Sequence, residues 1–441
     1  MPGLIRELAT PASVGFFFNT MFNVVDTWYA GRFSTEALAA LSLTFPVFFI
    51  LVAMGNGFST GTTALVGNAL GSNDRREAAL TASQGIVLSL MVTVVVIIVG
   101  YFSSPYLYRF LGAENTYLQL CLDYIYVILA GCGFVFVFYM LNGILNSQGD
   151  THSFRDYLIA ASIGNIILDP ILMYGWLGLP AMGVKGIALA TVIAQGGGAI
   201  FLGRRAWRTG LLHRSEGARW TPDRRVLKDI FNQGLPAGMN MMSVALGIFV
   251  ITYFLSEFGQ NVVAAFGAAT RIEQIVLLPA LGLNVAALSL ASQNSGAKRY
   301  DRVRELVRVS MRYGALITGV GGLLLFFGGE FLMGLFTTDA SVIEIGSHYL
   351  RIAAFLEFSY VVLFLNTSIL QGLKKPAFAL WIGVYRQLVM PIGFFWLATR
   401  VLGFELDGIW WGIFCINWSA AAVSVFYARR MVAKMEQKAA P

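Results

Sequence analysis

Residues 86–102 read IVLSLMVTVVVIIVGYF, with no charged side chain and no regular alternation of apolar and polar positions. Residues 315–327 and 408–427 are of the same kind. Crossing the hydrocarbon core of a bilayer takes about 20 helical residues, and backbone polar groups in lipid must be satisfied within a helix or a closed barrel. Runs this long without a period of two predict helices.

Working outward from these runs, the whole chain has the same character. Of its 441 residues 57% are hydrophobic and 12% charged, with a mean hydropathy of +0.68, more apolar surface than one soluble core can hide. Apolar runs and polar breaks predict spans near 9–31, 38–66, 79–101, 117–147, 157–176 and 186–203, then near 232–256, 262–291, 307–328, 342–371, 378–399 and 407–428. The chain opens on a span with no small-residue cleavage site, so Leu4–Gly31 is expected to be a retained helix. Cys121, Cys132 and Cys415 lie inside apolar runs without metal or redox spacing.

The net charge of +7 is a topology signal, and no nucleic-acid partner is expected. Sorted by loop, 22 basic residues fall on one side: Arg6, Arg75, Arg76, Arg155, the dense segment Arg204–Lys228, Lys298, Arg299, Arg302, Arg304, Lys374, Lys375 and the tail from Arg429. Only 4, Arg32, Arg109, Lys185 and Arg400, fall on the other. The positive-inside rule then places both termini in the cytoplasm of a multi-pass protein of the bacterial inner membrane.

An offset of 225 residues aligns the two halves: Thr10-Pro11-Ala12 on Leu235-Pro236-Ala237, Gly57 on Gly282, Gly71 on Gly296 and Tyr124 on Tyr349. A two-residue slip brings Gln148-Gly149 to Gln371-Gly372, and another brings Pro170 to Pro391. The expected fold is all-α, with twelve transmembrane helices in two pseudo-symmetric six-helix bundles, a parallel repeat around a central cleft. Residues 1–203 form the N-terminal lobe, 204–231 a basic cytoplasmic linker, 232–430 the C-terminal lobe and 431–441 a cytoplasmic tail.

Ionisable groups within spans are costly and mark candidate sites. Asn19, Asn23 and Asp26 stack on one face of the first span, and Asn165 and Asp169 lie one turn apart in the fifth. Pro170 removes the hydrogen bond to the Ile166 carbonyl beside the acid. Two carboxylates drawn together in a poorly solvated pocket resist double ionisation, so such a pair can load a proton or be neutralised by Na⁺. The counterpart of Asp26 in the second half is Ile251, so this stripe is not repeated. The second half carries Arg271, Glu273, Arg351, Glu357 and Arg386, whose near balance predicts ion pairs among themselves. Contact of Glu273 or Glu357 with a cationic substrate is the alternative. No Walker loop, HExxH or GxSxG is present and His152, His213 and His348 stand alone, so no enzyme and no organic cofactor is expected.

Thr10-Pro11-Ala12, Asn23-Val24-Val25-Asp26-Thr27, Gly31-Arg32, Val66-Gly67-Asn68-Ala69-Leu70-Gly71, Gln148-Gly149-Asp150, Asn165-Ile166-Ile167-Leu168-Asp169-Pro170 and Ser292-Gln293-Asn294-Ser295-Gly296-Ala297 together resemble the multidrug and toxic compound extrusion family, in its DinF-like branch. The resemblance implies a monomeric antiporter that exports organic cations and amphipathic drugs in exchange for H⁺ or Na⁺. It implies a coupling-ion site at Asp26, Asp169, Asn165, Asn142 and Asn23, with Na⁺ held at the two aspartates if Na⁺ is the ion. Thr191 is the nearest match to a family threonine, and Pro11 would be a bending point. The acid that another branch carries in the seventh helix is absent, since Ile251 stands at that depth. A lipid-linked sugar or oligosaccharide flippase, with Arg271 and Arg386 holding pyrophosphate, is the alternative within the wider superfamily, and a non-transporting scaffold or receptor is the alternative outside it.

Overall fold

The structure, a computed structural model, describes residues 1–439 and is all-helical. The last two residues of the expected 431–441 tail lie outside the described residues. Twelve helices are long and apolar enough to cross a membrane. In the first half they are α1 (Pro2–Phe33), α2 (Thr35–Gly71), α3 (Arg75–Phe110), α4 (Asn115–Asn146), α5 (His152–Tyr174) and α6 (Val184–Arg208). In the second they are α7 (Arg224–Ser256), α8 (Gln260–Gly296), α9 (Tyr300–Gly334), α10 (Ala340–Gly372), α11 (Ala377–Val401) and α12 (Leu406–Ala439).

Helix starts are fixed by caps. Ser34 Oγ accepts from the Ala37 amide, Asp74 from Glu77, and Asp339 from Ser341 and Val342, each satisfying donors that a helix N-terminus leaves open. The apolar run 86–102 in the middle of α3 then shows what its solvent is. Met91, Val94, Val95, Ile98 and Phe102 recur at helical spacing on one exposed face, while Val87 and Leu88 are buried.

The 225-residue offset holds in the backbone with few exceptions. α2, α3, α4 and α5 begin at Thr35, Arg75, Asn115 and His152, and α8, α9, α10 and α11 begin 225 residues later. The turns repeat as well: the Asp74 amide donates to Ala69 and the Arg299 amide to Asn294, while the Asp150 amide donates to Leu145 and the Lys375 amide to Leu370. The slip expected at Gln148-Gly149 therefore does not occur. Gly149 is equivalent to Lys374, both at positive φ, and aligning glycine with glycine displaces the register by two. The slip at Pro170 is also replaced. α5 has 23 residues and α11 has 25, and the extra length is carried by two π turns, Tyr385–Val389 and Leu397–Val401, each accommodating one inserted residue.

Val14–Gly238 make one compact unit, and Met1–Ser13 with the chain from Met239 onward make the other. The breaks fall inside α1 and α7, and Ser13 and Gly238 are themselves 225 apart. Close helix crossings follow from this. A Cβ on Gly57 would lie 2.5 Å from the Gly238 amide nitrogen and one on Gly61 2.7 Å from that of Gly234, so α2 and the start of α7 touch backbone to backbone. In the other unit a Cβ on Gly282 of α8 would lie 2.3 Å from the Ala9 carbonyl of α1.

Within the expected linker 204–231, residues 209–223 lie between α6 and α7, and side chains hold them in place. Buried Gln84 donates to the Arg219 and Thr221 carbonyls and accepts from the Asp223 amide, while Arg225 pairs with Glu77 at 2.9 Å.

Candidate functional site

Four polar side chains meet inside the Val14–Gly238 unit. Asp26 comes from α1, Asn165 and Asp169 from α5, and Thr191 from α6. All four are buried, with Asp169 fully so. The i, i+4 spacing in α5 lets the Asn165 amide donate one hydrogen to Asp169 Oδ1 at 3.0 Å and the other to Asp26 Oδ1 at 2.9 Å. Thr191 Oγ1 lies 3.2 Å from Asp26 Oδ2 and 3.2 Å from the Ile187 carbonyl, and its one proton can serve either.

The two carboxyl groups are thus bridged by the Asn165 amide. Two carboxyl groups held on one amide in a buried pocket resist double ionisation, so the pair can take up a proton or a cation. Asp169 Oδ2 and Asn165 Oδ1 are sealed from solvent and have no donor. The carboxyl, hydroxyl and Asn165 carbonyl oxygens are of the kind a hard cation takes, while the Asn165 amide nitrogen is turned to both acids.

α1 is fastened to α5 along its length. Ser162 Oγ donates to the Phe18 carbonyl at 2.7 Å, and Tyr29 donates to the Ile166 carbonyl at 3.0 Å. Ile166 carries the carbonyl that Pro170 deprives of its helical donor, so a tyrosine of α1 fills the gap beside the acid. Tyr29 was not singled out from the sequence, nor was Tyr124, a buried residue of α4 within electrostatic range of both aspartates. The match of Tyr124 to Tyr349 in the repeat was the available signal.

Other expected site residues stand apart. Asn23 turns along α1 and donates to the Asn19 carbonyl at 2.8 Å. Asn142 is buried in α4 with Oδ1 unpartnered and makes no hydrogen bond to the four. Pro11 is buried within α1, which continues as a helix through it. Its missing N–H leaves the Glu7 carbonyl without a helical donor. Two residues on, Ser13 Oγ lies 2.9 Å from the Ala9 carbonyl and 3.1 Å from that of Pro279.

The ion pairs expected in the second half do not form among the described residues. Tyr349 donates to Glu273 at 3.1 Å, while neither oxygen of Glu357 has a hydrogen bond. Arg386 donates to Asn417 at 2.9 Å, Arg271 is exposed, and Arg351 pairs with Glu330 at 3.0 Å. A near-balanced census of charges does not fix pairing: Glu273 and Arg386 take neutral partners, Arg351 takes an acid outside the set, and Glu357 takes none.

A family model, MatE, matches residues 11–171 and again 236–396, two copies offset by the same 225 residues. The chain belongs to the MatE family. It is a multi-pass membrane protein of a family of multidrug and toxic compound extrusion transporters. MatE relatives span nearly its whole length. A probable multidrug resistance protein of Bacillus subtilis, YoeA, is 25% identical over 93% of this chain and 90% of its own. An FAD transporter of Shewanella oneidensis is 27% identical over 92% and 89%. The multidrug export protein MepA of Staphylococcus aureus is 26% identical over 93% and 89%. Among solved structures, a MATE transporter in the bent conformation superposes with a TM-score of 0.91 at 26% identity, covering 100% of this chain and 97% of that one. The outward-facing conformation of a multidrug resistance MATE transporter gives 0.90 at 25%, covering 99% and 97%.

Proposed function

We propose that this MatE protein is a secondary active antiporter exporting organic cations or amphipathic drugs in exchange for H⁺ or Na⁺ by alternating access. It would act as a monomer with both termini cytoplasmic. The observation that carries this reading is the pair of carboxyl groups, Asp26 and Asp169, sharing one asparagine amide in a buried pocket where no basic side chain among the described residues pairs with them. A charge so placed must take up a proton or a cation. Asp26 is held by two other helices, so loading the pair changes the bonds that fix α1. Pro11, with Ser13 diverting a hydroxyl into the same turn, supplies the weak point at which α1 can repack.

Transport by purified protein in proteoliposomes, with a pH gradient or a Na⁺ gradient imposed alone, tests this. Export of an organic cation should follow one gradient and disappear in Asp26→Asn and Asp169→Asn. If both variants exported at the parent rate, the coupling site would be wrong. The flippase reading has less support, since Arg271 is exposed and Arg386 is buried on another helix, and the two are not assembled into a pyrophosphate clamp.

A further inference from the structure

The unit that runs from Met239 contains a buried arginine that the coupling reading leaves unused. Arg386 sits on the first π turn of α11, 6% exposed, and no carboxylate lies within 4.0 Å of it among the described residues. Its guanidinium is held in three ways. Nη1 donates to Asn417 of α12 at 2.9 Å, and its plane stands over the rings of Tyr360 at 5.4 Å and Phe364 at 5.8 Å on α10. The opposite edge is left free: Nε is buried without a partner, and Nη2 makes no hydrogen bond and is not sealed. That Nε–Nη2 edge is a two-pronged donor matched to a carboxylate.

Gly383, one turn before Arg386, packs so closely on α7 that a Cβ there would meet Asn240 and Ser243, and Gln387 packs on Gly247. The neighbouring polar groups are thus neutral. In the first repeat the position equivalent to Arg386 is Ala161 in regular helix, so the inserted residue of α11 is local to this half. The buried acids of the unit, Glu273 and Glu357, make no hydrogen bond or ion pair to the arginine among the described residues.

We propose that Arg386 is a receptor for the carboxylate of a monoanionic ligand whose aromatic body lies against the half-buried rings of Tyr360 and Phe364. A single guanidinium with no second cation matches a carboxylate better than a phosphate dianion. Binding itself does not depend on the transporter reading, although the statement that the ligand is carried across the membrane rests on it.

Dansylglycine and its neutral amide, titrated by fluorescence against the full chain in nanodiscs with empty nanodiscs as blank, test the proposal. The parent should bind the acid about 10- to 100-fold more tightly than the amide, the span of a charge-assisted hydrogen bond. Arg386→Gln should abolish that preference without changing affinity for the amide, and Arg386→Lys should keep part of it. If Arg386→Gln does not fold, Asn417→Ala keeps the charge and loosens the fork, and should lower the preference several-fold. The absence of any preference in the parent, an equal loss for both probes in Arg386→Gln, or an unchanged preference in Asn417→Ala overturns the proposal. So does thermal stability lost in Arg386→Gln and restored by adding Glu357→Gln, which would make the arginine a counter-ion. Gradient-driven export of an organic cation, measured on the same preparation, reports on the antiporter reading separately.

Discussion

The two halves keep one scaffold and place their polar groups in different slots of it. Counting the first π turn as one inserted residue and aligning the starts of α6 and α12, Asp26, Asn165, Asp169 and Thr191 fall on Ile251, Pro391, Phe395 and Ile413. The first half's acid pocket is the second half's packed core, where Phe395 and Ile413 are buried with Phe254 and Trp410 and Ile251 packs against them. Conversely Glu273 and Glu357 correspond to Phe48 and Cys132. What both halves retain is the tyrosine: Tyr349 binds Glu273, and Tyr124 stands beside Asp26 and Asp169. Duplication has preserved the starts of the helices and the turns between them, while side-chain caps and buried charge have been assigned separately in each copy.

The largest effect should come from neutralising the acids of one half and not the other. Asp26→Asn and Asp169→Asn should each abolish gradient-driven export while preserving assembly, because the amide is isosteric. Glu273→Gln should leave export within about twofold, since an amide oxygen still accepts from Tyr349. Proteoliposome flux decides this, and loss of export in Glu273→Gln with intact folding would erase the asymmetry between the halves.

Next in size is the reverse transplant. Ile251→Asp places at the slot of Asp26 a carboxylate with no asparagine, threonine or second acid to receive it. It should destabilise the protein by about 3 kcal/mol, the cost of a lone acid at membrane depth. Thermal unfolding in detergent measures it, and a variant as stable as the parent would mean that water or a partner already reaches that position.

The spans, the offset and the meeting of Asp26 with Asn165 and Asp169 were legible because each rests on a local signal: apolar length, recurring turns, and one-turn spacing on a helix face. The partners of those residues were not. Tyr29 answers the Ile166 carbonyl only because α1 lies against α5, and no spacing within α1 announces it. Arg386 is buried on the first π turn of α11, a placement that a count of charges does not register. The pairing expected between Glu273, Glu357 and Arg386 failed for the same reason, as composition balances charges that geometry keeps apart.

A smaller effect isolates one of these unforeseen contacts. Tyr29→Phe removes the donor to the Ile166 carbonyl and leaves ring packing in place. It should cost about 1–2 kcal/mol, the penalty of an orphaned carbonyl, and lower the thermal midpoint without abolishing export. An unchanged midpoint would show that Pro170 leaves no unmet carbonyl in the membrane.

The smallest effect is also the sharpest probe of the comparison. Thr191→Val keeps shape and volume, removes one hydroxyl, and makes the position resemble Ile413 of the second half. The hydroxyl has two acceptors at the same distance, Asp26 Oδ2 and the Ile187 carbonyl. The carbonyl keeps its place in the α6 ladder either way, so folding stability should change by less than about 1 kcal/mol. Asp26 Oδ2 has no second donor among the described residues. Its loss removes a bond that steadies Asp26 whenever the site is empty, and at the same time a neutral oxygen that a bound Na⁺ could use. The two coupling ions therefore separate in this variant. If the ion is H⁺, loss of the donor favours loading, and the gradient needed for half-maximal export should fall by about 2- to 10-fold. If it is Na⁺, a coordinating oxygen is lost and the concentration needed should rise by a similar factor. Flux titrated against each ion reads the direction, and a variant matching the parent in both titrations would remove Thr191 from the site and leave Asn165 as the only neutral residue between the acids.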